Sequence, residues 1–249
     1  MNENFDAFDC YVMGYDLNEK MIGFKYNHSY RVVHQCEEIA RYLNLDEEDK
    51  EIASIVGLLH DTARFKQWRD YKTFNDFESF DHGDEAVKIL FDEGLINKFK
   101  INKDYYEIIK KAIKYHNKYI VDFDALSVKE ALHTKIIRDA DKIDILYSFS
   151  TNRLIEIEED DTPISKEVSE VFFKHGQVKK TDVKTINESI IMKIGLAFDL
   201  YYDYSREKIR DEKYIEKMFE HIKNKELFKP YFDEVINYLK GENNDREEI

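Results

Sequence analysis

The chain has 249 residues, of which 43% are hydrophobic and 36% charged, and its net charge at pH 7 is -14. This length is enough for one large domain, or for a domain with an appendage, that buries a sizeable core. The acidity argues against a general nucleic-acid binder and against a membrane-surface binder, because both need Lys and Arg to neutralise phosphate. A small anionic substrate remains compatible with a local cluster of basic residues.

The cysteines and the N-terminus bear on the compartment. Cys10 and Cys36 stand far apart without a CxxC motif, so neither a disulfide framework nor a thiolate zinc site is expected. The N-terminus lacks the apolar core of a signal peptide, and no apolar run is long enough to span a bilayer. We therefore predict a cytoplasmic protein without a membrane partner.

The spacing of apolar residues is helical nearly throughout, and 2 prolines and 8 glycines are few for the turns of a β-rich fold. We predict an all-α protein, with a helical bundle over residues 1–150 and a C-terminal helical extension over residues 151–249, ending in a polar tail from residue 241. In the bundle, helices are predicted over residues 24–43, 46–61, 81–94, 105–116 and 128–149. In the extension, they are predicted over residues 165–175, 187–204, 206–223 and 230–239.

The helix predicted over residues 46–61 is apolar on most faces and ends in His60 and Asp61. Burying either polar side chain unpaired costs several kcal/mol, so the pair is expected to have a function. Imidazole and carboxylate groups are good ligands for first-row metals. The pair is therefore a candidate seed of a metal site, and Gly57 would let a neighbouring helix approach it closely.

Three more histidines stand at the ends of predicted helices. His28 heads the apolar stripe of the first helix, His82 falls in the first turn after the N-cap Asp81, and His116 ends an apolar stripe. A single histidine at such a position is more often an ordinary core or surface residue. His34, on the polar face of the first helix, is expected to be a surface residue. Together, His28, His82 and His116 indicate a shared site.

The helix predicted over residues 128–149 carries three candidate acidic ligands. Its periodicity places Asp144 in the buried stripe, with Asp139 and Asp141 on either side. Carboxylates close to a buried face need cations, a metal or hydrogen-bond donors. Periodicity alone does not decide which of the three binds a metal.

Basic and aromatic residues alternate over residues 62–80, directly after the His-Asp pair. Arg64 and Lys66 stand among Phe65, Trp68 and further aromatic residues. In a protein of net charge -14, such a cluster favours a phosphate-binding lip. Any single residue in it could equally belong to an ordinary surface loop.

The chain resembles the HD-domain metal-dependent phosphohydrolases over roughly residues 24–150, through an ordered set of motifs: His28-x-x-Arg31-Val32, His60-Asp61, His82-Gly83, His116 and Asp141-Lys142. The resemblance implies that one divalent metal is held by four ligands: His28, His60, Asp61 and Asp141. Dinuclear members of the family add two histidines, which match His82 and His116, and Asp61 would then bridge the two ions.

The resemblance also implies a reaction, in which metal-activated water hydrolyses a phosphoester or phosphoanhydride bond of a small phosphorylated, nucleotide-like substrate. Two ions of iron or manganese are expected, because these metals suit histidine with carboxylate oxygens, and nickel or zinc could substitute. The residues expected to act in catalysis are Asp61, Arg64 and Lys142. Those expected to contact the substrate are Arg64, Lys66, Asn117, Arg138 and Lys142.

The sequence departs from the motifs of two well-known branches of the HD-domain phosphohydrolases. Arg64 stands where HD nucleotidases for deoxynucleoside monophosphates have an acidic residue, and no Gly-Tyr-Pro follows His116 as in the cyclic-dinucleotide phosphodiesterases. The His-Asp-x-x-Arg-Phe string resembles an uncharacterised bacterial HD subgroup, and hydrolases of dinucleoside polyphosphates are the nearest functional analogy. The alternative function is a regulatory HD module that senses a nucleotide without turnover. The extension could mediate a homodimer.

Overall fold

The computed structural model describes residues 2–151 and 157–241. These residues form helices and no β-strand, which confirms the predicted all-α class. None of the helices in the described ranges combines the length and the apolar content that crossing a membrane requires. The predicted polar tail beyond Gly241 lies outside the described residues.

The chain divides into two compact units, of which the first ends at Asp141 and the second begins at Lys142. This division falls within one long helix, which ends at Ser150. The predicted boundary between the bundle and the extension lies at residue 150. The first unit contains α1 (Asn2–Val12), α2 (Lys20–Tyr42), α3 (Glu47–Leu59), α4 (Thr62–Tyr71), α5 (His82–Val87), α6 (Tyr106–Tyr115) and the first part of α7 (Val128–Ser150).

Helix α1 is not among the predicted helices, because its acidic residues leave only a narrow apolar stripe. It buries Phe8 and Val12 completely. The ring of Phe8 packs edge-on against Phe65 of α4, with ring centroids 5.9 Å apart. The hydroxyl of Tyr11 donates to the carbonyl of Thr62 at 3.0 Å. Helix α1 therefore braces the start of α4.

Helices α2 and α3 pack closely at the centre of the first unit. Helix α3 is buried on almost every face from Ile52 to Leu59, as its apolar sequence predicts. Gly57 permits the close approach, since a Cβ atom there would lie 3.0 Å from the Cα of Val33 and 3.1 Å from the Sγ of Cys36. Asp46 caps α3 by accepting a hydrogen bond from the backbone of Asp49 at 2.9 Å.

A second close approach joins α5 and α6. A Cβ atom at Gly83 would lie 3.0 Å from the carbonyl oxygen of Lys114 and 3.1 Å from that of Ile113. Asp81 accepts a hydrogen bond from the backbone of Asp84 at 3.0 Å, which confirms it as the N-cap. His82 is therefore the first residue of α5, and its side chain projects from the helix end.

The second unit contains the rest of α7, then α8 (Lys166–Phe173), α9 (Ile186–Ile194), α10 (Asp203–Asp211), α11 (Tyr214–His221) and α12 (Lys225–Lys240). The two longest helices predicted here, over residues 187–204 and 206–223, are wrong, because each is interrupted in the structure. Helix α9 ends at Ile194 and a 3-10 turn follows, while Lys213 separates α10 from α11 with a left-handed φ of 56°. Apolar periodicity missed these breaks because a single turn of altered backbone hardly changes the spacing of buried residues.

Candidate metal centre

The structure brings together six side chains in the first unit that stand at helix ends or on helix faces: His28, His60, Asp61, His82, His116 and Asp141. The first five residues are buried, with at most 5% of their surface exposed. The side chain of Asp141 is 19% exposed. Water therefore has little access to most of these polar groups.

The first cluster, which we call subsite 1, consists of His28, His60, Asp61 and Asp141. The Nε2 atom of His28 lies 3.3 Å from Nε2 of His60 and 3.3 Å from Oδ2 of Asp61. It also lies 3.2 Å from Oδ1 of Asp141. Nε2 of His60 is 3.5 Å from the same Asp61 oxygen. Four donor atoms therefore surround one small volume.

The second cluster, subsite 2, consists of His82, His116 and the other oxygen of Asp61. The two Nε2 atoms of the histidines are 3.0 Å apart. Oδ1 of Asp61 lies 3.7 Å from Nε2 of His82 and 3.9 Å from Nε2 of His116. Asp61 thus presents Oδ2 to subsite 1 and Oδ1 to subsite 2, which is the arrangement that a bridging carboxylate requires.

The tautomers of these histidines follow from their hydrogen bonds. Nδ1 of His60 lies 2.8 Å from the carbonyl oxygen of Gly57, and Nδ1 of His116 lies 2.7 Å from that of Ile113. A carbonyl only accepts, so each Nδ1 carries the proton and each Nε2 turns its lone pair towards the cluster. In His82, Nδ1 is instead 2.6 Å from a carboxylate oxygen of Asp76.

Burial keeps these imidazoles neutral. It lowers the pKa of His60 to about 4 and that of His82 to about 3, and it also lowers the pKa of His116. Burial alone would raise the pKa of Asp61, but Lys25, His60, His28 and Arg64 together outweigh it and hold the pKa well below its usual range. At neutral pH, the cluster therefore combines unprotonated imidazoles with an ionised carboxylate.

This donor set fits divalent metal ions. The Nε2 lone pairs of His82 and His116 face each other across 3.0 Å and repel unless a cation lies between them. The Nε2 atoms of His28 and His60 are similarly close, at 3.3 Å. Ligands bound to one ion at ordinary metal–nitrogen lengths stand about 3.0–3.4 Å apart. Within the described residues, the ligand atoms of His28, His60 and Asp141 all lie within 4.8 Å of one another, and so do those of His60, Asp61 and His116. Mixed imidazole and carboxylate donors suit first-row transition metals.

Of the three acids on α7, Asp141 contacts His28. Asp139 and Asp144 are both buried. Oδ1 of Asp141 lies 3.2 Å from Nε2 of His28, on a side chain that is partly exposed. Periodicity therefore predicted the burial of Asp144 correctly. However, the acid that lies in the cluster is Asp141, which is more exposed than Asp144.

Two residues beside the cluster were not singled out in the sequence. Nζ of Lys25 lies 2.6 Å from Oδ2 of Asp61, and Asp76 contacts both His82 and Arg64. Lys25 had a signal, since it lies three residues before His28 and shares its helix face. Asp76 lies in a short 3-10 turn, where helical periodicity carries no information about contacts.

Arg64 also stands against the cluster. Its guanidinium donates to Gln67 at 2.6 Å, to the carbonyl of Phe74 at 2.9 Å and to Asp76 at 2.9 Å. Its Nε is buried without a hydrogen-bond partner among the described residues and lies 3.5 Å from Oδ1 of Asp61. The ring of Phe74 lies 5.5 Å from this guanidinium and 5.3 Å from the ammonium of Lys25. Two cations therefore flank Asp61 above one aromatic ring.

Two lysines expected to contact the substrate pair with acidic residues. Nζ of Lys66 lies 3.3 Å from Asp70 and 3.6 Å from Glu85. Lys142 begins the second unit, where its ammonium pairs with the carboxylate of Asp199. These pairs balance the two charges, which weakens the case for either lysine as a phosphate ligand.

Arg138 and Asn117 hold backbone and side chains in place. The guanidinium of Arg138 donates to the carbonyls of Tyr115, His116 and Lys118 at 3.1, 3.3 and 2.6 Å. It therefore binds three carbonyls at and just beyond the C-terminal end of α6. The amide of Asn117 donates to Asp81 at 3.0 Å. Both residues support the helix ends that carry His82 and His116.

The comparisons with known proteins agree with this geometry. The family model of the HD domain matches residues 26–146. No curated protein and no solved structure gives a significant match to the chain. The matched range contains all the residues of subsites 1 and 2. Residues 26–146 of the chain therefore belong to the HD-domain superfamily.

Proposed function

We propose that this protein is a metal-dependent phosphohydrolase that cleaves a phosphoester or phosphoanhydride bond in a nucleotide-like small molecule. One observation carries the proposal: Asp61 presents its two oxygens to two separate groups of imidazoles, while Lys25 and Arg64 stand beside it. Membership of a superfamily that includes metal-dependent hydrolases supports the same reading.

The proposed ligands are those of subsites 1 and 2, for one divalent ion each. Iron or manganese suits the mixture of imidazole nitrogen and carboxylate oxygen. When bound, such ions would supply Lewis acidity towards phosphate oxygens and lower the pKa of a water molecule. His60 and His82 need not lose a proton to serve as ligands at neutral pH, because burial already keeps them neutral.

Positive charge for the phosphate group would come from Arg64, and from Lys25 once bound metal ions balance Asp61 in place of its ammonium. The Nε–H of Arg64 is an unused donor, and Gln67 and Asp76 hold the guanidinium in a fixed orientation. Such preorganised donors stabilise charge that grows on phosphate oxygens without reorganising during the reaction. In a chain of net charge -14, these local cations also give an anionic substrate one favourable place to bind.

Metal analysis and a substrate screen test the proposal. Protein purified without added metal is analysed for transition metals, then assayed with Mn²⁺ and Fe²⁺ against nucleotides, dinucleoside polyphosphates and cyclic dinucleotides. We expect at least one ion per chain and hydrolysis of at least one of these substrates. Less than one ion per chain, with no phosphatase activity on adding Mn²⁺, would refute the proposal.

Substitutions connect the activity to the site. His60→Ala and Asp61→Asn are expected to abolish hydrolysis. His34→Ala serves as the matched control, because His34 is exposed on α2, the helix that carries His28. Nucleotide binding without turnover in the wild type, with affinity unchanged in His60→Ala, would instead support the regulatory function.

A further inference from the structure

Asp76 uses its two carboxylate oxygens for different partners. Oδ2 lies 2.6 Å from Nδ1 of His82. Oδ1 accepts hydrogen bonds from Arg64 at 2.9 Å and from Gln67 at 3.0 Å. The side chain is 22% exposed, so water screens these contacts only in part. Asp76, which lies between α4 and α5, therefore contacts both His82, a ligand of subsite 2, and Arg64, the cation beside Asp61.

His82 depends on a side chain for its orientation, whereas His60 and His116 depend on backbone. The latter two follow the last turns of α3 and α6, and each binds the carbonyl three residues before it, at Gly57 and Ile113. Such carbonyls exist because a helix leaves its last carbonyls without partners. His82 is the first residue of α5 and has no helical turn before it. Its Nδ1 therefore binds the carboxylate of Asp76 in place of a backbone carbonyl.

The charge of Asp76 should matter to metal binding. A carboxylate that accepts from Nδ1 fixes the tautomer of a ligand histidine and makes its Nε2 more basic. Subsite 2 has three donors from His82, His116 and Asp61, one fewer than subsite 1. Loss of one well-oriented imidazole would therefore leave subsite 2 with too few ligands for tight binding.

We propose that Asp76 is the positioning residue of subsite 2, so that binding of the second ion depends on its charge while binding of the first does not. This inference rests on the metal centre of the proposed function. It predicts that removing the carboxylate converts a two-ion centre into a one-ion centre without unfolding the protein.

The test is a metal titration of Asp76→Asn and Asp76→Ala. Metal-free protein is titrated with Co²⁺ by visible absorption and with Mn²⁺ by calorimetry, which report coordination and stoichiometry without any activity assay. We expect two ions in the wild type. In both variants, the first ion should bind as in the wild type and the second about 10- to 100-fold more weakly. Thermal unfolding of the metal-free variants checks that they are folded.

Two controls separate positioning from a general effect on the fold. Asp70→Asn removes a carboxylate that pairs with Lys66 and Arg69, and it should leave both ions bound. Arg64→Met removes the other charged partner of Asp76 without touching His82, and it should also leave both ions bound. Loss of the second ion in Arg64→Met would show that Asp76 does not act through His82 alone, and would overturn the proposal.

The remaining outcomes are distinct. Two ions bound by Asp76→Asn and Asp76→Ala with wild-type affinity, or equal loss of both ions, would overturn the positioning role. A wild type that binds a single ion would overturn the two-ion centre and this inference with it. A wild type that binds two ions but hydrolyses nothing would count against the proposed activity alone.

Discussion

Lys25 and Asp61 form an ion pair inside the candidate metal centre, with Nζ 2.6 Å from Oδ2. The same oxygen lies 3.3 Å from Nε2 of His28 and 3.5 Å from Nε2 of His60. The two side chains are 11% and 3% exposed, so water does little to screen the pair. The ammonium therefore balances a buried carboxylate at the position where a metal ion would also balance it.

Replacing Lys25 by methionine should destabilise the metal-free protein more than the metal-bound protein. Without the ammonium, the buried Asp61 loses the closer of its two cations and keeps only Arg64, at 3.5 Å, so the free energy of unfolding should fall by about 3 kcal/mol. With saturating Mn²⁺ we expect a smaller loss, because the ions would balance the carboxylate. Urea unfolding with and without Mn²⁺ measures both values. Lys20→Met, exposed on the same helix, is the control, and equal losses in both conditions would contradict the prediction.

Gly83→Ala should loosen subsite 2 by separating α5 from α6. The added Cβ would lie 2.6 Å from Oδ1 of Asn117 and 3.0 Å from the carbonyl oxygen of Lys114. Overpacking of this kind costs about 1–3 kcal/mol of stability. We expect weaker binding of one ion as well, measured by calorimetry. In Gly195→Ala the new Cβ meets ring atoms of Phe172 at 3.5 Å and of Phe198 at 3.9 Å, which are ordinary contacts, so unchanged stability is expected. A fully tolerated Gly83→Ala would show that the helices can move apart freely.

Arg138→Met distinguishes a supporting role from substrate binding. Its guanidinium donates to three carbonyls at the end of α6, next to His116. A hydrogen bond from a charged group contributes about 1.5–3 kcal/mol to the free energy of unfolding. We therefore expect Arg138→Met to be clearly less stable and to bind metal more weakly. With metal saturating, KM should change little. A large rise in KM with unchanged stability would instead support the substrate contact predicted from the sequence. Arg41→Met, at an exposed surface ion pair, is the control.

His133 should make the protein less stable in acid. Its Nε2 lies 3.1 Å from Oδ1 of Asp49, while its Nδ1 is buried without a partner among the described residues. Burial lowers the pKa of His133 below its ordinary value. The unfolded chain then binds a proton near pH 6.5, whereas the folded chain does so only at lower pH. Between these values the unfolded state holds more protons, so stability falls as the pH decreases.

The measurement is the free energy of unfolding in urea at pH 7.5, 6.5 and 5.5 for metal-free protein. His133→Gln keeps a donor towards Asp49 but does not titrate, so its stability should fall less steeply below pH 6.5 than that of the wild type. His34→Gln removes an exposed histidine and should leave the slope unchanged. Equal slopes in the wild type and His133→Gln would show that His133 takes up its proton alike in both states.

Helix positions in the first unit could be read from apolar spacing because that spacing is a local property. The N-cap at Asp81 and the close approach at Gly57 follow from residue types within one turn. Local patterns failed for α1, where acidic residues narrow the stripe, and at Lys213, where one left-handed residue divides a helix. Contacts with the distant residues Phe65 and Thr62 hold α1 in place, and such contacts leave no period in the sequence.

The residues around the site show the same limit. Arg64, Lys66 and Lys142 were similar candidates as phosphate ligands, since each is a cation near a ligand motif. All three pair with acidic side chains, but only the contacts of Arg64 include a ligand of the cluster: its Nε, which has no hydrogen-bond partner among the described residues, lies 3.5 Å from Oδ1 of Asp61. Lys25, which belongs to no ligand motif, lies 2.6 Å from Asp61, closer than Arg64 at 3.5 Å. Distances between residues on different helices decide these roles.

By itself, the sequence determined that the protein is helical and that histidines and acids stand at the ends of its apolar stripes. Chain order and spacing were sufficient for this, because helix formation and amphipathicity depend on neighbours within a few residues. Only the tertiary structure decided which oxygen of Asp61 faces which imidazoles, and that Asp76 orients His82. These relationships depend on how closely the helices approach at Gly57 and Gly83, which is set by packing between segments far apart in the chain.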